Sequence, residues 1–186
     1  MVGKGRLGRL TVLGVHSTDP VLSLLAALGL AQTAGTALVV DLAGDVDLGP
    51  GRSLADLVEA GPSLAELSPG RTGVAVMMGG GLSVEEAAPS ISALATHWPA
   101  IVIRQRAVGW PGPSVPVVGM LPGLLRREAE GPAVWQPSGA NRRPAGPGPV
   151  LPTLSPRLVA KLLSGHEARR SRWVRAWEPV WEMPWG

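Results

Sequence analysis

Apolar runs of two lengths alternate along the first two thirds of the chain. Leu10 to Val15 (LTVLGV) is short and β-branched, Val21 to Ala34 is long, and Thr36 to Leu42 (TALVVDL) is again short and nearly continuous. Short apolar runs bounded by turn residues read as strands, and a long one reads as a helix. Continuous rather than alternating hydrophobicity marks a parallel strand covered on both faces. The polar stretch His16-Ser17-Thr18-Asp19 separates the first two runs. Asp19 is placed to cap the helix, Pro20 fits its first position, and Gly35 fits its stop. Strand, helix and strand in this order make a βαβ unit.

The pattern then repeats on a smaller scale. An acidic loop from Ala43 to Arg52 leads to a short helix capped by Ser53 (SLADLVE) and closed by Gly61-Pro62, with a second at Ser63 to Leu67. Thr72 to Met78 predicts a third strand running into Gly79-Gly80-Gly81. Ser83 followed by Glu86 forms a capping box for a helix ending near Trp98. Ala100 to Ile103 and Val115 to Leu121 predict a fourth and fifth strand, with Pro116 suggesting that the fifth is an edge. The sum is an α/β fold, a mostly parallel sheet with helices on both faces, over residues 1–130.

From Gly131 to Pro156 the periodicity fails. Recurrent proline and glycine predict an extended linker. Residues 157–186 then read as a module of separate character, with a short helix at Leu158 to Leu163 behind Ser155-Pro156. A basic stretch from His166 to Arg175 follows, then Trp173, Trp177, Trp181 and Trp185 at intervals of four. Helical spacing would keep successive rings near one side, but Pro179 and Pro184 end such a helix early.

Composition sharpens this picture at three points. There is no Cys, which excludes disulfides, thiolate metal sites and cysteine nucleophiles. Phe and Tyr are also absent against 7 Trp, so the tail holds most of the large aromatic surface. Residues 1–125 carry 7 Lys and Arg against 9 Asp and Glu, and the remainder 10 against 5, so the net charge of +3 arises in the C-terminal third. No apolar run reaches the roughly 20 residues that span a bilayer, and Leu10 to Val15 is too short for a secretory leader. A cytoplasmic protein is expected, with any membrane contact peripheral.

The succession of strand, loop, helix, strand ending in Asp41, "SLADLV" helix, strand, Gly-rich turn, helix and strand resembles the ParA/MinD family of deviant Walker A ATPases, including pilus-assembly members of the Tad/CpaE type. The resemblance covers roughly residues 10–103, and its best-matching stretch is Ala37-Leu38-Val39-Val40-Asp41-Leu42. It implies a nucleotide site at the first strand-helix turn and a metal-binding aspartate after the fourth strand. Here the first turn reads Gly14-Val15-His16-Ser17-Thr18-Asp19-Pro20, with no lysine, a carboxylate where phosphate would sit, and a proline that removes an N–H donor. Ser17 or Thr18 is left to reach a metal. The fourth strand is followed by Arg104-Gln105-Arg106 instead of an aspartate.

The remaining candidates divide between chemistry and structure. His16 lacks a partnered serine or carboxylate at a recognisable spacing and reads as structural. Asp41, Asp45 and Asp47 offer oxygen ligands for a cation or nucleotide-bound metal, but their spacing matches no calcium loop and reads as an acidic solvated loop. Gly79-Gly80-Gly81 reads as a tight turn. Arg104 and Arg106 read as an anion contact or as a pair with a nearby carboxylate. For the tail, the rings either pack on the domain itself or anchor a partner together with Arg169, Arg170, Arg172 and Arg175. The expectation is a non-enzymatic pseudo-ATPase with no cofactor, serving as scaffold or localisation factor for a protein partner. The alternatives are a nucleotide-binding switch or weak ATPase, and a peripheral membrane or DNA-partition accessory protein. Nucleic acid ranks below protein and membrane, because Glu178 and Glu182 interleave the rings.

Overall fold

A computed structural model describes residues 12–46, 51–67, 73–120, 131–138, 144 and 146–185. The architecture is α/β. Strands β1 (Val12–His16), β2 (Thr36–Asp41), β3 (Gly73–Met78), β4 (Ile101–Gln105), β5 (Ser114–Met120) and β6 (Val134–Pro137) form a wholly parallel sheet in the order β3-β2-β4-β1-β5-β6. The apolar runs of β1, β2 and β4 place these strands where both faces are covered, and β4 is buried along its whole length.

One face carries helix α1 (Pro20–Ala34) and the other carries α2 (Leu54–Ala60) and α4 (Val84–Leu94), with the one-turn α3 (Leu64–Leu67) beside them. The caps are those the sequence indicates. The Asp19 carboxylate accepts hydrogen bonds from Val21 N and Leu22 N, and Ser53 and Ser83 form capping boxes with Asp56 and Glu86. These donors hold the carboxyl groups of Asp56 and Glu86 below the ordinary range, the Ser53 and Ser83 backbone N–H being the largest cause.

Three expectations need correction. The stretch expected to be a linker contains β6, which pairs with β5 from Val117↔Val134 to Met120↔Pro137. Beyond β6 the segment 147–151 lies parallel to it, with Ala133 N and Trp135 N donating to Pro147 O and Pro149 O, and Leu151 N donating to Trp135 O. Proline suits such an edge, since it supplies acceptors inward and presents no N–H outward. Strand β5 is therefore internal despite Pro116. Its pairing with β1 ends at His16↔Pro116 and its pairing with β6 begins at Val117, so the missing N–H falls where the ladder changes sides.

The C-terminal residues are not a separate body either. Helices α5 (Pro156–Leu163) and α6 (Arg172–Arg175) and a 3-10 turn (Glu178–Glu182) lie on the α1 face. Trp173, Trp177, Trp181 and Trp185 join the core cluster of α1 with at most 7% exposure. Burying a tryptophan removes about 150–250 Å² from water, worth roughly 4–6 kcal/mol before ordering costs. Three of the four ring N–H groups find acceptors: Trp173 on Gln136 Oε1 (2.6 Å), Trp181 on Thr33 Oγ1 (2.8 Å) and Trp185 on Val180 O (2.7 Å). Gln32 of α1 adds a two-point clasp, donating to His166 O and accepting from Ala168 N. Gly29 makes the seam possible: a Cβ there would stand 2.8 Å from Trp173 Cη2 and 3.1 Å from Trp177 Nε1.

Candidate functional site

In an open parallel α/β sheet, ligands bind beyond the carboxyl ends of the strands, where the strand order reverses. Here the chain leaves β1 through α1 toward β2 and later crosses to β5 on the other side of β1. The ends of β2 and β4 bring together Asp41 and Arg104, with Asp19 at the start of α1 and Asp45 in the loop after β2, while His16 at the end of β1 is in register with Gln105 and so lies on the opposite face of the sheet.

Arg104 occupies the centre of this crevice and is fully buried. Its Nη1 donates to Asp41 Oδ1 (3.0 Å) and Oδ2 (2.8 Å), its Nη2 to Asp45 Oδ1 (2.5 Å) and Pro20 O (2.9 Å), and its Nε to Ser23 Oγ (2.9 Å). Every guanidinium nitrogen therefore has an acceptor, the condition under which a buried arginine is tolerated. Asp41 is also fully buried and takes one further bond from Ala43 N (2.9 Å). Arg106 stays on the surface, donating to Ala43 O and lying 3.8 Å from Asp45. The structure thus brings Asp41 and Asp45 together around a guanidinium. Asp47 lies outside the described residues. Among the described residues, no group of three or more His, Asp or Glu is arranged to hold a metal ion.

The first turn is equally committed. Asp19 spends its carboxylate on the N–H groups of α1 that a phosphate would otherwise approach, and Pro20 withholds another. Ser17 Oγ accepts from Asp19 N, and Thr18 faces solvent. Gly14 is covered on its open side, since a Cβ there would meet Gln105 Nε2 at 2.8 Å and Ser114 Oγ at 2.9 Å. The Gly79-Gly80-Gly81 run is a turn packed on the start of α2. Gly80 and Gly81 have φ of 69° and 83°, and a Cβ at Gly80 would stand 2.5 Å from Ser53 Oγ.

Sequence reasoning missed the partners of His16. Its Nδ1 lies 3.1 Å from Ser114 Oγ, a residue 98 positions away, and Gln105 Nε2 donates to the same hydroxyl at 3.0 Å. Gln105 Oε1 accepts from Trp110 N, which fixes the amide orientation and makes Ser114 Oγ the shared partner of Gln105 and His16. Burial lowers the His16 pKa below the usual 6.5 and so favours the neutral imidazole. Ser114 is buried, and among the described residues no carboxylate hydrogen-bonds the imidazole. The trio ties β1, β4 and β5 together. Only its three-dimensional pairing, not any spacing in the chain, reveals it.

The tail residues divide by direction. The four tryptophans face the core, while Arg170, Arg172 and Arg175 are exposed and Arg169 is half-buried, donating through Nη2 to Gly35 O at the end of α1. Arg157 and Lys161 of α5 are also exposed. No helix among the described residues is long and apolar enough to cross a membrane. No protein-family model matches the chain, and no curated protein matches it.

Proposed function

We propose that this chain is a non-catalytic α/β protein, a degenerate relative of the ParA/MinD ATPases that acts as a scaffold or localisation factor. The observation that carries this reading is the buried Arg104 network. A guanidinium held by Asp41, Asp45, Ser23 and Pro20 fills the volume where phosphate and metal would meet, and Asp19 answers the helix N-terminus with a carboxylate of the chain's own. Admitting a triphosphate would require breaking a satisfied buried ion pair, a cost of several kcal/mol, and displacing the Asp19 cap, a further cost of about 0.5–2 kcal/mol. The buried guanidinium, which could have stabilised a transferring phosphoryl group, is already spent on the chain's own carboxylates.

A protein partner is then engaged through the C-terminal segment. Because the rings are committed to α1, the surface offered is the outward basic side of that segment. Arginine is suited to such contacts through its forked hydrogen bonding. A setting in a Tad-type pilus or secretion assembly, on the cytoplasmic side, rests on the resemblance of residues 10–103 alone. Calorimetric titration with ATP, ADP and GTP in the presence of Mg²⁺ tests the non-catalytic reading. No saturable heat is expected, and micromolar binding of any of them would overturn it in favour of a nucleotide switch.

A further inference from the structure

Between α5 and the α5–α6 connection lies a cleft of about 300 Å³ outside the crevice described above. Its walls are Leu158 and Lys161 of α5 and residues 167–171 of the connection. Three cations, Lys161, Arg169 and Arg170, face one carboxylate, Glu167. Arg169 is anchored by its bond to Gly35 O, which holds its charge at the cleft beside the negative end of α1, with Glu167 3.7 Å from its Nε. Lys161 and Arg170 are exposed and carry no ion pair among the described residues. Ser171 Oγ accepts from Val174 N, and no described residue takes its proton.

We propose that this cleft is a carboxylate-binding subsite that receives an acidic side chain from a peptide segment of a protein partner. The proposal deepens the reading of the C-terminal segment as the partner surface and rests on it. Charge complementarity selects the occupant: a rigid arginine, two unpaired cations and a free hydroxyl donor suit carboxylate oxygens. Shape favours a peptide over a bilayer. A concave cleft accepts a side chain, while the tryptophans that would seat in a lipid interface are buried, and Glu178 and Glu182 project outward from the neighbouring turn. The apolar stem of Leu158 at the wall matches the methylenes of a glutamate.

The test uses the full chain and a fluorescein-labelled hexaglutamate peptide, with binding read by anisotropy at low salt. Saturable binding is expected for the unmodified protein. The Lys161→Glu/Arg170→Glu variant should bind at least about tenfold more weakly, as expected for reversing charges at close contact. Arg157→Glu, exposed but outside the cleft, should change affinity less than about threefold because the added charge is solvent-screened. Both variants alter exposed side chains, so unchanged melting temperatures certify their folding. Equal losses in the two variants would overturn the cleft while leaving a diffuse arginine face as the partner surface. Absence of peptide binding, with phosphatidylserine vesicles bound instead, would overturn the peptide assignment in favour of a membrane. Neither result bears on nucleotide binding, which the calorimetric titration decides separately.

Discussion

Replacing Arg104 by Met probes the crevice where its energetics are most one-sided. The substitution keeps an unbranched stem but removes every donor to Asp41 except Ala43 N, leaving a carboxylate at 0% exposure with a single hydrogen bond. Breaking a buried pair from one side costs about 3–5 kcal/mol. For a chain of this size that corresponds to a fall in Tm of roughly 6–20 °C, at about 2–4 °C per kcal/mol. Asp45 contributes less to the loss, since it is 22% exposed and can turn to water. The double variant Arg104→Met/Asp41→Asn removes both charges while retaining an acceptor for Ala43 N. It should be more stable than Arg104→Met alone, with a coupling of at least about 2 kcal/mol. Urea unfolding followed by both tryptophan emission and far-ultraviolet circular dichroism measures the cycle, and coincident transitions license the two-state treatment. A loss under about 1 kcal/mol for the single variant, or additive effects in the double, would refute the assignment of the pair as the structural plug of the crevice.

Three further outcomes follow from the seam and from His16. Gly29→Ala should destabilise by up to about 2 kcal/mol, because overpacking against the pinned Trp173 ring, about 1–3 kcal/mol, exceeds a helix-propensity gain near 1; a raised Tm contradicts the packing. Trp173→Phe should cost about 1–3 kcal/mol more than Trp177→Phe, since the first orphans Gln136 Oε1 while the second removes an N–H that has no acceptor; equal losses count against the hydrogen-bond assignment. His16 has a folded-state pKa below its unfolded value of 6.5, so the unfolded chain takes up the proton first on acidification. Stability should be full above about pH 6.5 and decline below it, a slope that His16→Gln removes. The depressed carboxyls of Asp56, Glu86 and Glu66, the last held down chiefly by the Ser63 backbone N–H, act in the same direction but only below their unfolded values of 3.8 to 4.5, so the two windows separate. A flat urea midpoint between pH 5 and 7 would contradict the burial of a neutral imidazole.

The strands β1 to β5 and the caps at Asp19, Ser53, Ser83 and Ser155 are legible along the chain because they depend on neighbours within a few residues. Strand β6 is not legible: its run is only Val134-Trp135-Gln136-Pro137, and its support comes from proline carbonyls of residues 147–151 that look like linker composition. Arg104 was readable as a departure from a metal-binding pattern, yet its burial is not, because the compensating acids lie 63 and 59 residues away. The Ser114 partner of His16 is hidden for the same reason. For the tail, spacing shows that the tryptophans share a side but not which surface they meet. Gly29, an interior helix glycine with no local purpose, is the one sequence signal that α1 receives something large.

The central claim is that the crevice at the ends of β1, β2 and β4 is filled by the chain's own charges. It is tested most directly by the melting temperature with and without Mg²⁺-ATP at about 5 mM. A ligand at about 100 times its Kd stabilises the native state by about 2.7 kcal/mol, which here would raise Tm by roughly 5–11 °C. No shift is expected with the nucleotide, and a rise of that size would contradict a crevice filled by Arg104 and its carboxylates.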